Sequence, residues 1–243
     1  MTPGDPILHL AGVTRCFGGL TAVKDLSFSV REHEVMGLIG PNGSGKSTTM
    51  NMISGALKPS AGEITLDGHS LSRAAAHENA RLGVGRTFQL VRALPHLSVR
   101  ENAMAGAVFG HVRRWGREAE AFADHVLERV GLAGRGGQSV GQLTYIDQKR
   151  LELARALAGE PRVLLLDEWL AGLNPSELRD GIDLVADLRA EGRTVILVEH
   201  VMDAIRSLCD RCVVIDAGVK IAEGTPEAAL ADPQVIRAYL GDG

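Results

Sequence analysis

Gly40-Pro41-Asn42-Gly43-Ser44-Gly45-Lys46-Ser47 has the spacing G-x-x-x-x-G-K-[ST], and it falls where the apolar run EVMGLIG passes into the helix-like run GKSTTMNMISGAL. The chemistry this suits is the holding of a polyphosphate. Glycines let consecutive N–H groups turn inward around phosphate oxygens, and a helix starting at Gly45 adds the positive end of its dipole. In that arrangement Lys46 reaches the β- and γ-phosphates of a nucleotide, the Ser47 hydroxyl helps hold magnesium, and Thr48 belongs to the same phosphate-binding stretch. Outside a strand-to-helix setting the same residues would be a glycine-rich turn with a surface lysine; the setting is what argues for a ligand.

Asp167 and Glu168 follow directly on the apolar run Val163 to Leu166. Two carboxylates at the C-terminal edge of a strand stand where parallel α/β sheets bind ligands. Asp167 suits the magnesium, through water or directly, and Glu168 suits the general base that polarises an attacking water. Alone, two acids after a strand are often a helix-start signal. The apolar run TVILVEH brings Glu199 and His200 to the same edge, where a neutral imidazole can hydrogen-bond a phosphate and the water-activating acid together. Gln89, after the strand-like VGRTF, can ligate magnesium or orient water.

The elements that must position these groups alternate between strand and helix: EVMGLIG, RVLLLDE and TVILVEH are each followed by a helix-like run. Continuous apolar strands in that order imply a parallel sheet buried on both faces, hence an α/β core. Residues 7–35 and 60–70 read instead as an antiparallel β layer, since LSFSV alternates and SAGEITLDG carries hairpin-like turn residues. Residues 95–158 are mostly helical by pattern, with Phe122, Val126, Leu127 and Val130 on one face of REAEAFADHVLERVGL. The expected organisation is a single domain over 1–243, with a nucleotide-binding core from 1–94 and 159–243 and an inserted helical subdomain at 95–158. GHVRRWGRE reads as a basic, solvated loop.

A chain of 243 residues, 45% hydrophobic and 23% charged, can bury a sizeable core. The net charge of -4 gives no general reason to expect nucleic acid as a partner. No apolar run reaches the roughly 18 to 20 residues that span a bilayer, and MTPGDPILHL lacks the pattern of a signal peptide; a cytoplasmic location is expected. Three cysteines argue against a disulfide framework. Cys209 and Cys212 have C-x-x-C spacing, but with no second ligand pair they read as buried structural thiols.

With these residues assembled, the chain resembles the ATP-binding subunits of ABC transporters along almost its whole length. Its Walker A loop is GPNGSGKS, its Q-loop residue Gln89, its Walker B strand VLLLDE, its D-loop AGLN and its switch histidine His200. Phe17 lies where that family places the aromatic residue that stacks on adenine. FGGLTAVKDLSFSV, LAGLNPSE and the tail DPQVIRAYLGDG look like the LivG-like branched-chain amino acid importer ATPases. The resemblance implies a P-loop NTPase (RecA-like) ABC ATPase core, with an antiparallel β subdomain and an inserted α-helical subdomain. It also implies ATP and Mg2+, and ATP hydrolysis that energises uptake of branched-chain or related hydrophobic amino acids. The implied partners are a second ABC ATPase subunit (LivF-like or a second copy), transmembrane permease subunits and, indirectly, a solute-binding protein. The chain would then lie on the inner face of the plasma membrane. A nucleotide-gated regulatory domain that hydrolyses poorly, and an importer ATPase for amides or urea, are the alternatives.

The family's signature, L-S-G-G-Q, meets the γ-phosphate of ATP held by another copy of the domain. Here it reads Leu143-Thr144-Tyr145-Ile146-Asp147. Thr144 keeps a hydroxyl, and Tyr145 takes the first Gly position. Ile146 takes the second, where a β-branched residue makes positive φ costly. Asp147 places an anion near another anion, a repulsion of roughly 1 kcal/mol at about 7 Å in an intermediate dielectric. Thr144-x-x-Asp147 also reads as a helix cap, in which Asp147 answers exposed amides and repels phosphate less. Trp169 stands where the family usually has Pro; it either shifts Glu168 or fills space. Asn174 ends the D-loop where many relatives have Asp.

Overall fold

The computed structural model describes residues 6–240; residues 1–5 and 241–243, at the two ends of the expected domain and including the start of MTPGDPILHL and the last three positions of the tail, lie outside the described residues. The first half of the chain runs β1 (Pro6–Phe17), β2 (Leu20–Arg31), β3 (Val35–Ile39), α1 (Lys46–Ile53), β4 (Ala61–Leu66), β5 (His69–Ser70), α2 (Ala76–Leu82), β6 (Val84–Arg86), α3 (Val99–Phe109) and α4 (Gly116–Arg129). A short 3-10 turn, Val140–Gln142, precedes α5 (Tyr145–Ala158). The rest is β7 (Val163–Asp167), α6 (Pro175–Ala190), β8 (Val195–Val198), α7 (Met202–Leu208), β9 (Arg211–Asp216), β10 (Val219–Gly224), α8 (Pro226–Leu230) and α9 (Pro233–Leu240).

Continuous apolar runs make the central sheet. Its order is β10-β9-β3-β8-β7-β6, all neighbours parallel except the edge pair β9 and β10. Every residue of β3, β7 and β8 is buried, as strands covered on both faces must be. The alternating segments make a second, antiparallel sheet, β2-β1-β4-β5. Its β4–β5 hairpin turns at Asp67 and Gly68, both at positive φ, the backbone that tight hairpin turns require. One face of the central sheet packs on this layer, through Met36, Leu38, Ile196 and Val213 against Leu10, Val23 and Ile64. The other face joins one continuous core with α3, α4 and α5.

Two expectations shift slightly. Helix α1 stops at Ile53 because Gly55 takes φ +75° and turns the chain, so the run to Leu57 is only partly helical. On α4, Val126 and Leu127 are buried together with Ala119 and Ala123, and Val130 is buried just beyond the helix. Phe122 lies at the margin of that face, under the Arg114 guanidinium, 3.9 Å from its ring centroid.

Cys209 and Cys212 are buried and unbonded, Cys16 exposed. The two buried sulfurs occupy the space over Gly37 of β3, where an added Cβ would lie 2.9 Å and 3.1 Å from them.

Helices α3 and α5 meet backbone to backbone at Gly106, where an added Cβ would lie 2.0 Å from the Arg155 carbonyl. A carbonyl inside a helix cannot yield as a side-chain tip can, so Gly106→Ala is expected to destabilise the fold by about 1–3 kcal/mol. Urea unfolding reads this as a lowered midpoint; an unchanged midpoint would contradict the packing described.

Candidate nucleotide site

The glycine loop is shaped from three sides. β3 delivers Gly40, which takes φ +152° and has no room for a side chain: a Cβ would lie 1.9 Å from the Ile215 carbonyl. Gly45, at φ +107°, is the N-cap of α1 and lies against the Ala22 carbonyl of β2. The turn between β9 and β10 closes the third side, with Gly218 donating its N–H to the Ser44 carbonyl (2.9 Å) and accepting from Lys24 (2.8 Å). Asn42 to Thr48, with Ala22 and Glu168, line a cleft of about 160 Å³.

Lys46 is buried within this loop and donates to the carbonyls of Gly40 (2.7 Å) and Pro41 (2.8 Å). Burial lowers its pKa, and the nearby charges of Glu168 and Asp167 work against that shift. The loop fits a polyphosphate on its own chemistry. A Cβ at Gly43 would meet nothing within 4 Å, so the backbone is open there, and the Ser44 hydroxyl oxygen is buried without a hydrogen-bond partner, a group that is costly to leave unpaired.

Opposite the loop, the ends of β6, β7 and β8 bring the predicted polar residues together. Glu168, one residue past β7, accepts from Gln89 Nε2 at 2.6 Å on one carboxylate oxygen and pairs with His200 Nε2 at 2.8 Å on the other. Glu168 sits at φ +50°, a conformation that costs a non-glycine residue about 1–3 kcal/mol and persists only where its surroundings hold it. Asp167 is buried and accepts from Arg86 on Oδ2 at 2.8 Å, while Arg86 also donates to Asn51 and Ser54 of the first helix and its cap. That leaves Asp167 Oδ1 free of the ion pair.

The next turn is bolted from beneath. Trp169 is 1% exposed and its indole N–H donates to the Lys149 carbonyl (3.2 Å); this tryptophan fills space in the core. The Lys149 ammonium, also buried, donates to the carbonyls of Trp169 (2.9 Å) and Ala171 (2.8 Å) and reaches that of Glu168 (3.4 Å). Glu199 accepts the Leu170 N–H at 2.6 Å through Oε1, and its Oε2 is buried without a partner. Asn174 caps α6, its side-chain oxygen accepting from Ser176 and Glu177 at 3.0 Å.

Thr144 is the N-cap of α5 and accepts the Asp147 N–H at 3.3 Å. Tyr145 and Ile146 form the first helical turn, and Ile146 is not among the residues with positive φ, so the expected strain at this position does not arise. The Tyr145 ring is half-exposed, 5.2 Å from the Lys149 ammonium and beside Gly172. Asp147 is not a free anion either. Burial would raise its pKa, but hydrogen bonds from Arg135 (2.7 Å) and the Thr144 hydroxyl (2.7 Å) hold it below the usual carboxylate range.

Phe17 stands apart from the cleft-lining residues, at the end of β1, 42% exposed, with the Arg15 guanidinium 4.6 Å above its ring. It pairs with Leu20 across the β1–β2 turn, two residues before Ala22 of the cleft wall. Sequence reasoning passed over Arg86, Arg135, Lys149 and Glu152. For Arg86 and Glu152 the only local signal was a charged residue amid largely apolar neighbours, in VGRTF and RLELA; Arg135, between two glycines, and Lys149, between Gln148 and Arg150, carried none.

Burial pushes the Glu199 carboxyl up from 4.5 to about 7, against the opposing N–H bond from Leu170. The folded chain therefore holds this proton across a window where the unfolded chain has released it. Rising pH through that window favours unfolding, by on the order of 3 kcal/mol. Glu199→Gln abolishes this term, so its urea midpoint should gain on the parent's as pH goes from about 5 to about 8; a constant difference between the two would refute the assignment.

Comparison with known proteins agrees with this geometry. Residues 23–171 match the family model described as ABC transporter, and residues 219–243 match that described as branched-chain amino acid ATP-binding cassette transporter. The high-affinity branched-chain amino acid transport ATP-binding protein BraF of Pseudomonas aeruginosa is 43% identical, with 98% of each chain covered. The corresponding LivG of Salmonella typhimurium is 41% identical at the same coverage. The ADP conformation of MJ1267, an ATP-binding cassette of an ABC transporter, superposes with a TM-score of 0.87 at 31% identity, over 98% of this chain and 99% of that one. A phosphate loop, a paired carboxylate and histidine on neighbouring strand ends, and near full-length similarity together establish that the chain belongs to the ATP-binding cassette family of ABC transporters.

Proposed function

We propose that this chain is the ATP-hydrolysing subunit of an importer for branched-chain or related hydrophobic amino acids. The observation that carries the hydrolytic reading is Glu168, held by Gln89 and His200 at the wall of the cleft that Asn42 to Thr48 also line. Relatives named for branched-chain amino acid transport support the cargo.

In this reading the backbone N–H groups of residues 42–48 cradle the triphosphate of ATP. Lys46 exchanges two carbonyl acceptors for phosphate oxygens, and the Ser44 hydroxyl finds its missing partner. Phe17 offers its face to the adenine. Ser47, Gln89 and Asp167 would hold Mg2+, which supplies charge neutralisation at the phosphate oxygens. Glu168 takes the proton of the attacking water. His200 steadies the Glu168 carboxylate until its single N–H turns to the γ-phosphate of bound ATP, while Gln89 links that carboxylate to the metal side.

A second ATPase subunit, LivF-like or another copy, belongs to the reading because the family's signature meets ATP held by another copy of the domain. Thr144, Tyr145 and Ile146 present the free N–H groups of the α5 N-terminus to that partner's nucleotide. Arg135 removes the objection that Asp147 would repel it. Helices α3 to α5 form the proposed inserted subdomain. A groove of about 220 Å³ between that subdomain and the core, lined by Val84, Arg86, Gly106, Phe109 and Pro161, supplies a seat for a permease segment. Among the described residues no helix is long and apolar enough to cross a membrane; attachment to the inner face of the plasma membrane would come through the permease, and the solute-binding protein would act from beyond it. Buried Trp169 and paired Asp147 favour this reading over a poorly hydrolysing regulatory domain.

Two substitutions separate binding from chemistry. Lys46→Ala should abolish Mg-ATP binding by titration calorimetry. Glu168→Gln should keep that affinity and lower the ATPase kcat by about 10²–10⁴-fold. Retained binding in the first, or parental turnover in the second, would overturn the assignment. Reconstituted with its permease and binding protein, the complex should show ATPase stimulation by leucine, isoleucine or valine; stimulation by amides or urea alone would reassign the cargo.

A further inference from the structure

Helix α5 carries two buried, oppositely charged side chains one turn apart, Lys149 and Glu152, 2% and 1% exposed. Neither reaches the cleft. Lys149 spends its ammonium on the backbone that follows Glu168, bonding the carbonyls of Trp169 and Ala171 and touching that of Glu168. Glu152 accepts the N–H groups of Phe88 (3.1 Å) and Arg92 (2.9 Å), which bracket Gln89. The two loops so gripped, 88–92 and 168–171, carry the partners of the 2.6 Å hydrogen bond between Gln89 and Glu168.

Burying two ions is costly, and a bare packing role would be met as well by apolar side chains. The bonds show what the charges do instead. Carbonyls attract an ammonium and amides attract a carboxylate, so each side chain is matched to the kind of backbone group it holds. The loops are otherwise irregular, and the Glu168 backbone is left-handed, so without such grips the chain there has easier conformations. Their common origin on α5, whose N-cap is Thr144, ties the spacing of the two loops to one rigid element.

We propose that Lys149 and Glu152 are positioning residues that fix Gln89 against Glu168 and thereby set the rate of hydrolysis without contributing to nucleotide affinity. The proposal rests on Glu168 being the base of the preceding reading. Lys149 and Glu152 do not touch substrate; they act through backbone.

The test uses the full chain, assembled with its partner subunits for kinetics. Lys149→Met and Glu152→Leu should each lower kcat for ATP by between about tenfold and a hundredfold, with KM for ATP within about threefold of the parent. Lys149→Arg and Glu152→Gln, which keep donors or an acceptor, should recover most of the loss. Amide hydrogen exchange should show Ala171 loosened in Lys149→Met, and Phe88 and Arg92 loosened in Glu152→Leu. Parental kcat in the Met and Leu variants would overturn the proposal. So would a parallel loss of affinity and turnover that Arg and Gln do not rescue, because that is the signature of a scaffold. If Lys149→Met does not fold, Lys149→Gln is judged by the same criterion: kcat lost with KM kept supports positioning, and any other pattern refutes it. Should the parent complex hydrolyse no ATP, the reading of Glu168 falls, while the exchange data still decide whether these side chains hold the two loops.

Discussion

One carboxylate, held in a backbone conformation it would not choose alone, organises this molecule. Glu168 leaves β7 at φ +50° and is met on its two oxygens by Gln89 and His200, from the neighbouring strand ends. The parallel order β8-β7-β6 is what makes that meeting possible, because it lines up three C-terminal strand ends. β3, on the other side of β8, then sends the glycine loop toward the same place. Burial of every residue in β3, β7 and β8 makes this edge rigid, which is what a site needs when its chemistry is mostly positioning and electrostatics.

The rewritten signature shows how a local anomaly is absorbed by its surroundings. In the proposed reading an acid at position 147 adds an anion where a partner's phosphate would bind, yet Arg135 and the Thr144 hydroxyl both bond it. The pair is half-buried, so it is not screened away as a surface pair would be. Trp169 is a parallel case: a bulky residue next to the proposed base is drawn into the core, its indole N–H satisfied by the Lys149 carbonyl, and Glu168 keeps both of its partners.

Much of the fold was legible in the sequence because its signals are local. Apolar runs such as VLLLD declare buried parallel strands, alternation in LSFSV declares a one-sided strand, and the glycine-lysine spacing declares the loop. The polar residues at the strand ends could be named because each follows directly on its strand. What escaped was non-local. Glu152 bonds residues sixty or more positions away and Arg86 bonds Asp167 eighty-one positions away; their immediate neighbours show a charge among apolar residues but not which group it bonds. The strain expected at Ile146 failed for the opposite reason: it was inferred from a motif whose glycines are absent, whereas the helix cap at Thr144 gives Ile146 an ordinary helical place.

The central claim is that Glu168 faces the terminal phosphate of ATP seated in the glycine loop. Its most direct test is the structure of the assembled ATPase pair, carrying Glu168→Gln, with Mg-ATP. The account predicts the triphosphate against residues 40–48, the side chain at 168 across from the γ-phosphate beside Gln89 and His200, and Thr144 turned to the nucleotide of the partner. A triphosphate bound elsewhere, or a γ-phosphate remote from position 168, would contradict it.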